Sequence, residues 1–361
     1  MKIGILTYHR SHNYGAVLQA IALRYELTRL GHEVYYIDYW PKYHQRMYAY
    51  FSFYSLTHRR IRGAFSYIRQ FVKYHKQKKA KIEKFESFIN DFIAPYCKSI
   101  DDTYDIIVHG SDQIWRKQEG KRYNPIYFGV HDNFHCKYNV SYAASIGKIS
   151  SDANDVQLIK GYLTHLDRIS VRETDLLDFV KKLGFKDATI CVDPTFLLSK
   201  TDWDRLIPVQ SFCDRKYLLY YKLLDGSFND NDIYVFAKEH GWDVKVLYGY
   251  ATICKEDEDS ICTAGPIEFL NLIRNAEFVI TSSFHGLAFS LIYQKPFYAA
   301  FSIGSSRAES ILEKLELKDQ LLTPMSQIPN VNSKIDYSNI AMKIQELSRC
   351  SIKYLESLNR I

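Results

Sequence analysis

Hydrophobic and polar positions alternate along this chain in two rhythms. Lys2 to Thr7 is a short apolar run that reads as a strand. Beyond the polar loop Tyr8 to Gly15, the residues Val17, Leu18, Ile21, Ala22, Tyr25 and Leu27 recur at helical spacing, so Ala16 to Leu30 reads as a helix closing at Gly31. Glu33 to Asp38 is the next strand, and the three elements together make a parallel pair with a crossover. Further strands are expected near Asp105 to Val108, Asn139 to Ala143, Ile169 to Val171 and Thr189 to Val192, with a helix over Asp175 to Leu183. Pro194 and Pro208 bracket a connecting stretch from Thr195 to Cys213. A second series follows. Its strands lie near Lys216 to Lys222, Val244 to Tyr248, Phe278 to Thr281 and Phe297 to Ala300; its helices lie near Asp230 to Glu239, Ile267 to Asn275, Gly286 to Tyr293 and Arg307 to Leu315. The pattern predicts an α/β chain of two doubly wound, Rossmann-like lobes, residues 1–200 and 201–330, facing a cleft, with a helical segment 331–361 that packs back across the first lobe. Ligands of such sheets sit beyond the carboxyl ends of the strands.

One block breaks the rhythm. From about residue 42 to 92 the spacing predicts an insertion, with one or two amphipathic helices between Ser66 and Phe92. Between Lys42 and Lys81 there are eleven Lys or Arg residues and no Asp or Glu, interleaved with aromatics. The whole chain carries +6, so everything outside the block is net acidic and an anionic partner is expected on one face only. The 29 tyrosines suggest wet, stacking surfaces suited to sugars. No run approaches 18 uncharged apolar residues, and Met1 to Ile5 passes straight into a strand, so neither a membrane span nor a signal peptide is expected. The seven cysteines are scattered, odd in number and without a CxxC pair, which points to a reducing, cytoplasmic setting and to no structural zinc.

Candidate chemistry gathers at strand ends. In Ile280-Thr281-Ser282-Ser283-Phe284-His285-Gly286 the pattern turns from strand to helix, so hydroxyls and exposed N–H groups make an anion site with His285 in the first helical turn. His109-Gly110-Ser111-Asp112-Gln113-Ile114-Trp115 follows another apolar strand and reads as a ligand loop, with Trp115 as a sugar-stacking plane. Arg172 offers a planar fork to phosphate or carboxylate, beside Glu173. Asp193-Pro194-Thr195 has a similar position but reads equally as a turn. The first loop, with Asn13 and Tyr14, lacks GxGxxG and GxxxxGK[ST], so nucleotide cofactors have no motif support, and no GxSxG or HExxH occurs.

Seven segments in order resemble the polysaccharide pyruvyl transferase family: Asn13 to Gln19, Gly110 to Trp115, Ser141 to Gly147, Ser170 to Glu173, Val192 to Thr195, Gly265 to Phe269 and Ser283 to Gly286. The resemblance implies a GT-B-like fold and transfer of pyruvate from phosphoenolpyruvate to a sugar as a cyclic ketal, with release of phosphate and no cofactor or metal. It also implies an essential His285 and a donor-site Arg172. Some members carry an arginine two residues before the histidine; Ser283 stands there in this chain. The expected catalytic set is therefore His285, Arg172, Asp112 and Glu173, with Thr281, Ser282, Ser283, Gly286, Lys295 and Arg307 joining Arg172 around the donor on the second lobe. On the first lobe, Asn13, Tyr14, His109, Ser111, Gln113 and Trp115 are the expected acceptor residues.

The acceptor is expected to be a polysaccharide precursor linked to a lipid diphosphate, met at the inner face of an anionic membrane through residues 42–81; nucleic acid is not the expected partner. Two other readings stay open: a GT-B glycosyltransferase using a nucleotide-sugar, and a non-enzymatic polysaccharide-binding protein.

Overall fold

Helix starts and stops follow local chemistry. The N–H of Ala16 donates to Asn13 Oδ1 (3.2 Å), opening helix α1 (Tyr14–Arg29), and the chain turns away at Gly31, whose φ of 88° favours glycine. The computed structural model describes residues 1–360 apart from 59–60, 119–121, 211–214, 224–228, 251–253, 255–256, 302–305, 324–326 and 330–334. Arg59, Arg60, Cys213 and the expected boundary at 330 thus lie outside the described residues.

The first lobe is built on β1 (Lys2–Leu6), β2 (Glu33–Ile37), β3 (Cys97–Lys98), β4 (Thr103–Asp112), β5 (His135–Ala144), β6 (Ser170–Val171) and β7 (Thr189–Ile190). They form one parallel sheet in the order β3-β2-β1-β4-β5-β6-β7. The insertion supplies α2 (Lys42–Tyr48), α3 (Phe53–Thr57) and α4 (Ile61–Phe92); α5 (Ala153–Leu163), α6 (Thr174–Lys182) and α7 (Lys200–Leu206) follow. The second lobe carries β8 (Tyr217–Lys222), β9 (Asp243–Tyr248), β10 (Ser260–Ile261), β11 (Phe278–Thr281), β12 (Phe297–Ala300) and β13 (Leu321–Leu322), again parallel, in the order β10-β9-β8-β11-β12-β13. Its helices are α8 (Asp230–Glu239), α9 (Pro266–Asn275), α10 (Phe284–Ile292) and α11 (Ser306–Lys314), and α12 (Tyr337–Ser357) ends the chain. Two doubly wound lobes facing a cleft are thus present, the GT-B-like arrangement that the resemblance implies.

Alternate residues of β4 enter opposite cores. Ile106 and Val108 pack with Val17 and Leu18 of α1, whereas Ile107 packs with Phe128 and Leu163. The first of these cores runs unbroken into the second lobe through Phe269, Val279 and Leu287. The seam is polar as well. Tyr14 stacks on Phe269 at 4.5 Å and donates its hydroxyl to the Ala264 carbonyl (2.8 Å).

Three features depart from the sequence reading. The insertion's long helix is one continuous 32-residue element, and its inner half belongs to the seam: Lys81 is buried and its Nζ donates to the Tyr248 and Gly249 carbonyls (2.9 and 2.8 Å). Part of the basic block is therefore a strut rather than a solvated face. Cys254 and Cys262 are joined as a disulfide, contrary to the expectation from scattered cysteines. Strand β4 continues through Asp112, its last residues pairing with β5 as His109↔Ser141, Gly110↔Tyr142 and Asp112↔Ala144, so the supposed ligand loop is largely strand. Helix α12 does return to the first lobe, where Ser348 Oγ donates to the Phe196 carbonyl (2.7 Å) and Tyr354 donates to the Ser141 carbonyl (2.7 Å).

Candidate active site

In each sheet the strand order reverses direction once, between β1 and β4 and between β8 and β11. The loops leaving these strands meet. After β11 the Ser283 N–H donates to Thr281 Oγ1 (3.0 Å), Leu223 N–H donates to Ser282 Oγ (3.1 Å), and Ser283 Oγ accepts from the Gly286 N–H (3.4 Å) as the cap of α10. Gly286 lies so close to the strand that a Cβ there would stand 2.2 Å from Thr281 Oγ1. The hydroxyls of Thr281, Ser282 and Ser283 are thus engaged in shaping the turn. Their work is to aim His285 across the seam. Its ring lies on the backbone of Gly15, where a Cβ would come within 1.9 Å of Nδ1; only a glycine at the start of α1 admits it.

His285 Nε2 stands 3.4 Å from Asp193 Oδ2, and the same oxygen is 2.9 Å from Arg172 Nη1. Asp193 Oδ1 accepts from the Thr195 N–H and hydroxyl (2.9 and 2.8 Å). Burial drives the Asp193 carboxyl up, but Arg172, His285 and the Thr195 N–H outweigh it and hold the group ionised, well below the usual carboxylate range. Arg172 also donates from Nη2 to Ser111 Oγ (2.5 Å), and Ser111 Oγ donates to the Ala143 carbonyl (2.7 Å). Arg172 therefore anchors Asp193 as an ion pair; its Nη1, Asp193 Oδ2 and His285 Nε2 meet at ion-pair distances without hydrogen-bond geometry, and its Nε has no hydrogen-bond partner among the described residues. A buried anion holding a histidine and an arginine, all three at strand ends, is an acid–base arrangement with its charges fixed in advance.

Phe284 separates two cations, with Arg172 Cζ 5.5 Å from its ring centroid and Arg307 Cζ 5.4 Å. Burial, followed by repulsion from Arg172, destabilises the charge on Arg307. With Lys314 these side chains line a cavity of about 20 Å³, room for a single water. Glu173 stands close by at the N-cap position of α6 without a capping hydrogen bond; burial raises its carboxyl above the ordinary value against the pull of Arg172, Arg307 and Ser145, and neither oxygen has a well-formed hydrogen bond among the described residues. Asp112, at the end of β4 with φ 77°, accepts the Gln113 N–H (2.8 Å) and feels Arg307 electrostatically. His285, Arg172, Arg307, Glu173, Asp112 and Ser111 are therefore brought together.

Other expected residues are placed elsewhere. Lys295 follows the far end of α10, beyond about 10 Å of helix from His285, and stands apart from it. Trp115 is 1% exposed, stacked on Phe128 at 5.0 Å with its Nε1 donating to the Tyr127 carbonyl (2.9 Å), so it is core and offers no plane to a sugar. His109 is likewise buried inside β4, with Nε2 2.9 Å from Asn139 Oδ1, and burial pushes it down to about 4, so it stays neutral. Tyr14 is consumed by the seam, and Asn13 by capping α1. Gln113 stays at the margin of the cleft, its carbonyl accepting from the Tyr8 hydroxyl (3.1 Å). Conversely, Asp193 and Gly15 were missing from the expected set although both stand in the quoted segments. Asp-Pro after a strand and glycine before a helix each have an ordinary turn reading, and only their meeting at His285 gives them a role.

A family model described as polysaccharide pyruvyl transferase matches residues 13–305, a span containing Gly15, Arg172, Asp193 and His285. The chain belongs to the polysaccharide pyruvyl transferase family. It is accordingly a member of a transferase family whose acceptors are polysaccharides. No curated protein sequence matches it. Among solved structures, a putative UDP-N-acetylglucosamine 2-epimerase from Listeria monocytogenes is similar at 10% identity and TM-score 0.48, over 98% of this chain and 90% of that one. An E. coli heptosyltransferase solved with ADP is similar at 11% identity and TM-score 0.42, over 96% and 100%. The glycosyltransferase SnogD from Streptomyces nogalater is similar at 12% identity and TM-score 0.39, over 98% and 96%.

Proposed function

We propose that this pyruvyl transferase family member moves pyruvate from phosphoenolpyruvate to two hydroxyls of one sugar, forming a cyclic ketal. The observation that carries the reading is the Asp193–His285 contact in a cleft that also holds Arg172 and Arg307. His285, held by ionised Asp193, donates a proton to the methylene carbon of phosphoenolpyruvate, which leaves the adjacent carbon electron-poor. A sugar hydroxyl oxygen bonds to that carbon, losing its proton to a carboxylate, Asp112 or Glu173. The carbon–oxygen bond to phosphate breaks and phosphate departs with the electron pair; a second hydroxyl then adds, loses its proton and closes the ring. In this reading Arg307, Lys314 and the open Nε of Arg172 supply, in place of an arginine at Ser283, the positive field for the donor's phosphate and carboxylate, and the hollow they line, with room for a single water, must widen to take the donor. Gly286 and the α10 N-terminus add their partial charge.

The acceptor in this reading is a lipid-linked oligosaccharide precursor presented at an anionic membrane. Phe65, Ile68 and Val72 form an exposed stripe on α4 (69%, 41% and 65% exposed) between exposed Arg62, Arg69, Lys73 and Lys76, a pattern suited to lying on a charged interface. Among the described residues, no helix is long and apolar enough to cross a membrane. Sedimentation with anionic vesicles should fall with salt; equal binding to neutral vesicles refutes the electrostatic contact.

Turnover is tested by a mass-resolved screen of free and lipid-linked sugars with phosphoenolpyruvate, looking for a mass gain of pyruvate less water. His285→Ala and His285→Gln should abolish that gain while the circular dichroism spectrum is unchanged; normal turnover in either sinks the assignment. Acceptor-dependent release of nucleotide from a nucleotide-sugar, with no phosphate from phosphoenolpyruvate, would establish glycosyl transfer instead.

A further inference from the structure

Away from His285, two adjoining hollows of about 360 and 470 Å³ lie between α2 of the insertion and the segment that follows β4. Tyr43, Arg46, Tyr54 and Gln118 line both, so they form one groove. Its cations are Lys42, Arg46, Arg116, Lys117 and Arg122, and no carboxylate lines it among the described residues. Lys117 brings its own counter-ion, Asp155, from outside the groove. Arg46 packs on Tyr54, with Cζ 3.8 Å from the ring centroid, which holds the guanidinium over the ring beside the groove. Such a concentration of positive charge, with no carboxylate facing it among the described residues, is unfavourable by itself and is relieved by an anion.

The two ends of the groove define the anion further. At the inner end Gln118 Nε2 donates to the Tyr8 hydroxyl (2.6 Å), which donates to the carbonyl of Gln113, the neighbour of Asp112. The inner end of the groove is thus linked through the buried Tyr8 to the residue beside Asp112. At the outer end stands Met47, 53% exposed, near the start of α3, where Phe53 is 75% exposed. A sugar placed toward Asp112 would have its anomeric substituent in the basic stretch and anything beyond passing over apolar surface. A single phosphate would leave most of the cations unused; a diphosphate spans them.

We propose that this groove binds the diphosphate of a glycosyl diphosphate, the acceptor's carrier group. The inference rests on the pyruvyl-transfer reading for the sugar's orientation, but the groove itself is tested without turnover. Its probes are inorganic pyrophosphate, geranyl diphosphate as the lipid source and UDP as the nucleotide source, titrated calorimetrically into the full-length protein. Arg46→Ala/Arg116→Ala should weaken pyrophosphate binding at least tenfold, and the single change Arg116→Ala, at an exposed position, should weaken it severalfold with an unchanged melting curve. His285→Ala should leave it unaltered. Tighter binding of geranyl diphosphate than of UDP assigns the groove to a lipid carrier, and the reverse order to a nucleotide carrier, the diphosphate site standing in both. Failure of all three probes to bind, or binding undiminished in the double variant, overturns the proposal. Pyrophosphate binding lost with the arginines, in a protein that consumes no phosphoenolpyruvate with any acceptor, would uphold the groove and reject the pyruvyl-transfer reading.

Discussion

Replacing Gly15 by alanine tests the site through a residue with no chemistry of its own. The added methyl would meet His285 Nδ1 at 1.9 Å, Cγ at 2.2 Å and Cε1 at 2.3 Å. To restore ordinary contact the ring must retreat by about 1.5 Å, which breaks its approach to Asp193 at 3.4 Å. Misplacing a catalytic group by about 1 Å costs on the order of 10²-fold in rate, so kcat for phosphate release from phosphoenolpyruvate, with the acceptor found in the screen, should fall at least that far. Stability should change little. Gly15 lies in the first turn of α1 without a positive φ, so alanine's helical preference of up to ~1 kcal/mol offsets part of an overpacking cost of about 1–3 kcal/mol. Gly161→Ala in α5, where a Cβ meets open space, is the matched control and should leave turnover untouched. Gly15→Ala combined with His285→Ala should be no slower than His285→Ala alone, because both act through one ring. Turnover of Gly15→Ala within threefold of wild type would refute the placement of His285 as the working group.

Three further outcomes are expected. Asp193→Asn strips the shared anion from buried Arg172 and His285 and should cost about 3–5 kcal/mol in urea unfolding, along with most turnover; an unchanged midpoint would contradict the network. Lys81 is pushed down to about 7 by burial, below its unfolded value near 10.5, so its stabilisation is fully present above 10.5 and is lost as pH falls toward 7. Lys81→Met should remove that contribution to the slope of melting temperature against pH, and a persistent slope would place the titration elsewhere. Trp115→Phe deletes the hydrogen bond to the Tyr127 carbonyl and should destabilise by about 1–3 kcal/mol while leaving the acceptor KM unchanged; a raised KM would return Trp115 to the sugar site.

What could be read from sequence follows the range of the interactions involved. Periodicity located β1, α1, β2, β8, β9, β11 and α10 because each buries a face whose spacing is local. His285 was legible for the same reason: a strand-to-helix turn is written in consecutive residues. Asp193 and Gly15 matter through partners 92 and 270 positions away, and no local pattern encodes that meeting. The error over His109 and Trp115 has a related origin. A short apolar run with polar residues after it looks finished, yet pairing with β5 carries β4 on to Asp112 and turns His109 inward, and beyond the strand Trp115 is drawn into the core by Phe128 and the Tyr127 carbonyl. Lys81 was read with its charged neighbours, although its burial is decided by the Tyr248 and Gly249 carbonyls across the seam.

Helix α12 has a mechanical consequence. The polypeptide leaves the first lobe beyond Phe196 and comes back as α12, and Ser348 is hydrogen-bonded to the Phe196 carbonyl at 2.7 Å, so the outgoing and returning chains run together. The second lobe is thus tied to the first at both of its ends, by the outgoing chain and by the returning helix. With both ends of the second lobe held at one place, the meeting of the His285 ring with the Gly15 backbone is registered by the connectivity of the chain itself.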